Sequence, residues 1–352
     1  METFLAVILF VLGLILLIKG GDWFVDGAVG IAHRFNMPEI LIGATVVSIG
    51  TTLPEVMVSA GGALQGIGSM AYGNAIGSII CNTALIAAIT IAVRPSDVDK
   101  KSLKTPVIFF FIAAAIYVFA TYFLGTFNRL TGIILLLEFV IYIVVAVRQA
   151  ILESRAANAV SGDNIPAAAD AAGTAEASNT SANDADPDAS DDAKPSSLLK
   201  ELILLVVGAA LIAVGADLLV DNGTKIATIL GVPDTVIALT FVALGTSLPE
   251  LVTAITSLAK GSGALSLGNV IGANMFNLVL VSGMAITLAP FDVPCDKLIG
   301  GINSSLLVDI PVMLFVMLFL TIPALIRGKL SRVQGIVLLA VYAGFCIFQF
   351  AL

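Results

Sequence analysis

The chain has 352 residues, of which 58% are hydrophobic and 12% are charged. A soluble domain cannot bury that much apolar side chain, so the composition excludes an ordinary soluble protein and predicts an integral membrane protein. The formal charge of −8 arises mostly within residues 152–197, and the nearly neutral remainder gives no reason to expect nucleic acid as a partner. The three cysteines are scattered and predict neither a disulfide framework nor a metal cluster.

Apolar stretches separated by Gly, Pro and charged residues predict ten transmembrane helices and hence an all-α fold. The predicted helices cover residues 4–20, 40–64, 72–93, 106–124, 130–150, 198–216, 236–259, 267–288, 304–324 and 334–351. The first stretch lacks a basic n-region and a cleavage site, so we interpret it as a retained helix rather than a signal peptide.

Residues 152–197 differ from the rest of the chain in composition. They are rich in Ala, Asp, Ser and Asn and nearly devoid of large apolar residues, so they cannot offset the entropy cost of ordering. We predict a disordered acidic linker that divides the chain into residues 1–151 and 198–352. A solvated tether accounts for its acidity, and calcium sensing is the alternative.

The two halves repeat each other at a spacing of 195 positions. SIGTTLPE at 48–55 aligns with ALGTSLPE at 243–250, and GNAIGSIICN at 73–82 aligns with GNVIGANMFN at 268–277. Three residues outside these motifs also match: Asp22, Asp26 and Pro38 align with Asp217, Asp221 and Pro233. Each half holds five helices, an odd number, so the second half enters the membrane from the opposite side. The sequence therefore predicts an inverted 5+5 repeat.

The distribution of Lys and Arg predicts the orientation of the chain. With the N-terminus outside, nearly all basic residues fall in cytoplasmic segments, and only Arg129, Lys225 and Lys297 fall outside. The positive-inside rule therefore predicts external N- and C-termini and a cytoplasmic linker. The compact architecture leads us to expect the plasma membrane of a prokaryote.

Two glutamates, Glu55 and Glu250, occupy equivalent positions near the centres of the second and seventh predicted helices. An unpaired ionised carboxylate at this depth costs roughly 2.5 to 3.5 kcal/mol, so each needs a cation, a proton or a buried partner. Pro54 and Pro249 lack an N–H, so a carbonyl one turn earlier loses its helical partner and the helix can open there. Inverted-repeat transporters bind ions where such interrupted helices meet.

The polar residues around the glutamates all offer oxygen atoms. The second and seventh helices carry Thr51, Thr52, Thr246 and Ser247. The third and eighth helices carry Asn74, Ser78, Asn82, Asn269 and Asn277, with Ala273 at the position equivalent to Ser78. Oxygen ligands without His or Cys favour calcium, sodium or magnesium over zinc or copper. Two carboxylates balance the charge of one calcium ion or of two sodium ions. These ions would therefore compete for one binding site, which predicts exchange of sodium for calcium.

These motifs resemble the two alpha-repeats of the cation/calcium antiporter superfamily, in particular its prokaryotic sodium/calcium exchangers. The resemblance covers the whole chain except the linker and implies that Glu55 and Glu250 bind calcium, aided by oxygens of Thr51 and Thr246. It implies that sodium sites are completed by Thr52, Ser247, Ser78, Asn82, Asn277 and the carbonyls of Ser48 and Ala243. It also implies alternating access, in which the first and sixth helices slide across the other eight.

Two residues depart from the family pattern. Ala273 stands where many relatives have a hydroxyl, which leaves the number of sodium ions open. Asn277 stands where potassium-dependent relatives carry an acid, which argues against potassium coupling. The remaining intramembrane acids, Glu138 and Asp309, lack counterparts in the other half, and we expect them to pair within the bundle.

Three other functions are open to such a chain. Proton/calcium exchange on the same fold is the close alternative, and sodium is favoured by the many hydroxyl and amide ligands. A lipid phosphatase should place Arg or Lys among the glutamates, and neither motif contains one. A channel is disfavoured because two closely matched halves suit a carrier that alternates between two states. We therefore predict a sodium/calcium antiporter, not an enzyme, without a cofactor, whose partners are Ca²⁺, Na⁺ and the bilayer, with no obligatory protein partner.

Overall fold

The computed structural model describes residues 2–35, 37–95, 97–162, 198–229, 245, 247–295 and 298–351. Over the first half, the helices are α1 (Glu2–Arg34), α2 (Glu39–Leu64), α3 (Gly68–Val93), α4 (Lys100–Leu124) and α5 (Arg129–Gly162). Over the second half, they are α6 (Leu198–Ile229), α7 (Leu248–Ala259), α8 (Gly263–Leu288), α9 (Ser305–Arg327) and α10 (Arg332–Ala351). Within these ranges, all but α7 are long and apolar enough to cross a membrane.

This arrangement confirms the all-α membrane fold, and several helix ends differ from the prediction. The amphipathic stretches after residues 20 and 216 predict that the first and sixth helices are long, and α1 and α6 do continue well past those residues, each packing along the other over most of its length. Helix α5 runs to Gly162, into the segment predicted as linker. Residues 163–197 of that linker and residues 236–244 of the predicted seventh helix lie outside the described residues.

Contacts between connecting segments agree with ten alternating crossings. Strand β1 (Thr126–Phe127), between α4 and α5, pairs antiparallel with β2 (Phe291–Asp292), between α8 and α9. A second hairpin joins β3 (Leu298–Ile299) to β4 (Ile302–Asn303). On the opposite side, Asp97 before α4 bridges to Lys329 before α10. Segments that the topology assigns to one side of the bilayer therefore meet one another.

Glycine contacts between α1 and α6 display the inverted repeat. A Cβ added to Gly13 would lie 2.9 Å from the Gly215 carbonyl, and one added to Gly20 would lie 2.9 Å from the Gly208 carbonyl. A shift of 195 positions exchanges these two contacts, because Gly13 corresponds to Gly208 and Gly20 to Gly215. A two-fold relation between the halves therefore passes between α1 and α6.

Helix α2 packs closely on α8 near the start of both helices. A Cβ on Gly43 would lie 2.8 Å from the Asn269 nitrogen, and a Cβ on Gly268 would lie 2.9 Å from the Ile40 Cα. Glycine is needed here because the two backbones touch. Tyr142 of α5 supports the same region by donating its hydroxyl to the Ala44 carbonyl at 2.7 Å.

We predict that Gly268→Ala destabilises the protein. The added methyl group meets the Ile40 backbone, which cannot rotate away, and such overpacking typically costs about 1–3 kcal/mol. Thermal unfolding in detergent should therefore occur at a lower temperature. Gly344→Ala on α10 is the matched control, since no described atom lies within 4 Å of its added Cβ and alanine favours a helix. Equal unfolding temperatures for the two variants would contradict the packing argument.

Candidate functional site

The two glutamates lie in the bundle interior, where they interact electrostatically with each other. Glu55 of α2 and Glu250 of α7 are both 0% exposed. The helix α2 continues through Pro54, so the predicted opening at that proline is wrong, and the wide π-helical turn lies earlier, at Gly43–Val47. In the second half Pro249 lies in the first turn of α7, a favoured position for proline, and Glu250 lies at the positive end of the helix dipole.

The two predicted asparagines begin matching distortions. Asn82 begins the π-helical segment Asn82–Ala87 within α3, and Asn277 begins the segment Asn277–Ser282 within α8. The α8 segment packs against α2, which carries Glu55, and the α3 segment packs against α7, which carries Glu250. Each asparagine therefore lies in a segment that packs against the glutamate-bearing helix of the other half. Wide turns of this kind are frequent at functional sites.

The other described members of the predicted set are buried in the same region. Thr51 lies close enough to Glu250 to interact with its carboxylate, and Ser247 lies beside Cys81, the neighbour of Asn82. The buried members are Ser48, Thr51, Thr52, Ser78, Asn82, Ser247 and Asn277. Thr246 and Ala243 lie outside the described residues.

Many polar atoms in this region are buried without a partner. Within the described residues, no hydrogen bond reaches either carboxylate oxygen of Glu55 or Glu250, the side-chain amides of Asn82 and Asn277, or the Thr52 hydroxyl. A buried unsatisfied polar group costs about 1–3 kcal/mol, more when charged, and native proteins contain few of them. Two carboxylates surrounded by further oxygen atoms suit a desolvated cation without a histidine or thiol ligand.

Asn269 of α8 is a contact residue that the predicted site set omitted. Its Oδ1 accepts a hydrogen bond from the Thr51 hydroxyl at 3.2 Å. It also lies 3.2 Å from the Ser48 hydroxyl, whose single proton has a closer acceptor in the Gly43 carbonyl at 2.7 Å. Its counterpart Asn74 instead donates to the Glu55 carbonyl at 3.2 Å and to the Ser59 hydroxyl at 2.8 Å. The polar stripe in the sequence contained both asparagines, but spacing along one helix does not reveal contacts between helices.

The two unmatched acids behave differently from each other. Asp309 accepts a hydrogen bond from Gln349 of α10 at 2.9 Å, so its predicted pairing is confirmed. Glu138 is buried in α5, and neither of its oxygens has a hydrogen-bond partner among the described residues. The predicted pairing of Glu138 with another side chain is therefore not seen within the described residues, and the backbone N–H of Ala113 is the polar group that acts on its carboxyl.

Inverted halves of apolar helices, with buried oxygen atoms between them that lack partners within the described residues, are the architecture of a membrane ion transporter. The family model described as sodium/calcium exchanger protein matches residues 5–148 and 200–351, so the chain belongs to the sodium/calcium exchanger family. This membership confirms the resemblance and the antiporter class.

Similar proteins span nearly the whole chain. The uncharacterized membrane protein MJ0091 of Methanocaldococcus jannaschii is 33% identical and covers 95% of this chain and 94% of its own length. Sodium/calcium exchanger MaX1 of Methanosarcina acetivorans is 30% identical, with 97% and 98% covered. A structure of the sodium-calcium exchanger NCX_Mj, soaked with 10 mM Na⁺ and 10 mM Sr²⁺, has a TM-score of 0.74 and 31% identity, covering 97% of each chain.

We predict that Asn269→Leu weakens cation binding more than it weakens the fold. Leucine has the same branching but cannot accept the hydrogen bond that holds the Thr51 hydroxyl. The cation concentration for half-maximal transport should rise several-fold, because that hydrogen bond is lost. The matched control is Asn222→Leu, since Asn222 is a buried amide that donates to Leu218 within α6. Equal shifts in both variants would contradict the positioning role.

Proposed function

We propose that the chain is a secondary antiporter that exchanges Na⁺ for Ca²⁺ by alternating access and normally extrudes calcium. The observation that carries the proposal is the buried set of carboxylate, amide and hydroxyl atoms without partners around Glu55 and Glu250. Two like charges interact in an interior that only a cation or protons can neutralise. One calcium ion or two sodium ions would do so equally well.

The roles within this site follow from position and repeat equivalence. Glu55, Glu250 and Thr51 bind calcium, together with Thr246 as the counterpart of Thr51. The surrounding oxygens take sodium in place of calcium; they belong to Thr52, Ser78, Asn82, Ser247, Asn277 and the carbonyls of Ser48 and Ala243. Movement of α1 and α6 across the other helices would expose this site to each side in turn.

Sodium is the proposed coupling ion in preference to protons. Protonation needs only the two carboxylates, whereas the site adds buried amide and hydroxyl oxygens, which suit a sodium ion. The relative from Methanosarcina acetivorans is named a sodium/calcium exchanger, which agrees with this choice. The distribution of Lys and Arg further supports external termini, a cytoplasmic linker and a prokaryotic plasma membrane.

We predict that Glu55→Gln and Glu250→Gln each abolish calcium transport in a folded protein, because each keeps the side-chain volume and removes one of the two charges that balance Ca²⁺. Calcium-45 uptake into proteoliposomes under an imposed sodium gradient measures the effect, and valinomycin reveals net charge movement. Glu138→Gln is the matched control, a buried intramembrane glutamate outside the repeat motifs, and should transport normally. Calcium flux retained by both site variants would refute the assignment.

We predict that acidification inhibits calcium uptake, since a protonated carboxyl cannot balance the charge of Ca²⁺. At constant pH, a sodium gradient should drive uptake, and uptake should fall as the pH is lowered toward about 5, near the ordinary range of glutamate. Calcium movement that requires a pH gradient and ignores sodium would favour the proton-coupled alternative. Uptake that stays constant to pH 5 would argue against both carboxylates as ligands.

A further inference from the structure

Two equivalent interfaces of the inverted repeat differ in how closely they pack. Where α1 meets α7, a Cβ on Gly21 would lie 2.7 Å from Val252 Cγ1 and 2.8 Å from Thr256 Oγ1. At the equivalent interface between α6 and α2, Ala216 and Met57 are the counterparts of Gly21 and Val252. These two residues both line a cavity of about 870 Å³. The α1–α7 interface is thus closed, and the α6–α2 interface is open.

A cluster of ionic contacts spans the closed interface. Lys260 lies on the turn after α7, and its Nζ contacts Asp26 Oδ1 at 2.7 Å and donates to the Asp22 carbonyl at 2.8 Å. The Asp22 carboxylate lies 3.7 Å away. Both aspartates belong to α1, so Lys260 connects α1 to the helices against which it would slide.

The open interface has the equivalent acids without the equivalent base. Asp217 and Asp221 line the cavity, but the counterpart of Lys260 is Gln65, on the turn after α2. The two turns have the same backbone conformation: φ and ψ are −83° and 2° at Gln65 and −81° and 0° at Lys260, and a glycine of positive φ follows each. At this position the two ends therefore differ in charge, in addition to the packing differences between Gly21 and Ala216 and between Val252 and Met57.

We propose that Lys260, Asp22 and Asp26 form a one-sided ionic latch that favours the state in which the α1–α7 interface is closed. The proposal rests on the alternating movement of α1 and α6 proposed above, but not on which ions are exchanged. An exact inverted repeat would give two end states of equal energy, so an ion pair present at one end favours one state. For partly exposed pairs such as these, we expect a shift of roughly two- to fivefold in the population ratio.

Moving the latch to the other end tests the proposal. Lys260→Gln removes it, Gln65→Lys installs it opposite Asp217 and Asp221, and the double variant K260Q/Q65K transfers it. The reporter is a disulfide between Met57→Cys and Ala216→Cys, which should approach each other when the open interface closes, as Gly21 and Val252 do now. The native cysteines, Cys81, Cys295 and Cys346, are first replaced by alanine.

In the transferred variant, the rate of disulfide formation should rise several-fold over the parent at low salt, and the single variants should fall between. Labelling of Ala213→Cys on the cavity wall by N-ethylmaleimide should slow in the same variant. High salt should reduce both differences because it screens exposed charges. Lys329→Gln is the matched control; it removes an exposed lysine that contacts Asp97 at 3.5 Å, away from this interface.

Disulfide formation and labelling at parent rates in K260Q/Q65K, with the thermal stability of the parent, would overturn the latch. Asp22→Asn with Asp26→Asn should reproduce most of the K260Q effect, because both carboxylates are gone and only the bond from Lys260 to the Asp22 main-chain carbonyl remains. A shift on adding K260Q that is as large as in the parent would also overturn the proposal. Failure of the calcium-site variants would leave these measurements unaffected, so the two proposals are judged separately.

Discussion

The structure depends on two fully buried carboxylates that interact with each other. Glu55 and Glu250 are both inaccessible, interact electrostatically and lack hydrogen-bond partners among the described residues. Left alone, such a pair opposes folding, because each charge is desolvated beside another of the same sign. The cation proposed for this site would reverse the sign of that balance. The packing of α2 on α8 through glycine and the wide turns at Asn82 and Asn277 place further oxygen atoms in the same region.

The sequence was sufficient to predict the ten-helix fold and its inversion. Apolar length identified the helices, and the 195-residue repeat with five helices in each half required the second half to be inverted. Apolar length alone placed the ends of α1 and α6 short of Arg34 and Ile229, while the amphipathic stretches that follow indicated longer helices. The last turns of α1 pack on the first turns of α6, where Arg34 pairs with Glu201, and hydropathy cannot detect such a contact.

The sequence identifies the candidate residues of the site, but it says little about the contacts between them. Glu55, Thr51, Asn82 and Ser247 were identifiable because identical chemistry recurs at equivalent positions. The contacts of Thr51 and Ser48 with Asn269 were not, because they join helices from opposite repeats. Pro54 was expected to open α2, yet the wide turn Gly43–Val47 lies about two to three turns before it. A missing N–H frees one carbonyl, and the packing of α2 on its neighbours decides where the helix widens.

Departures from the repeat carry information that the repeat itself cannot. Matched residues must serve both end states of an inverted carrier, so they report on the shared site. Unmatched residues act on one side only. Ser78 is aligned with Ala273 of the other repeat, and Lys260 is aligned with Gln65. The first difference changes the ligands on one side of the site, and the second changes the charge at one end of the bundle. Direction and ion number in a two-fold carrier must arise from such positions, because symmetric residues contribute equally to both states.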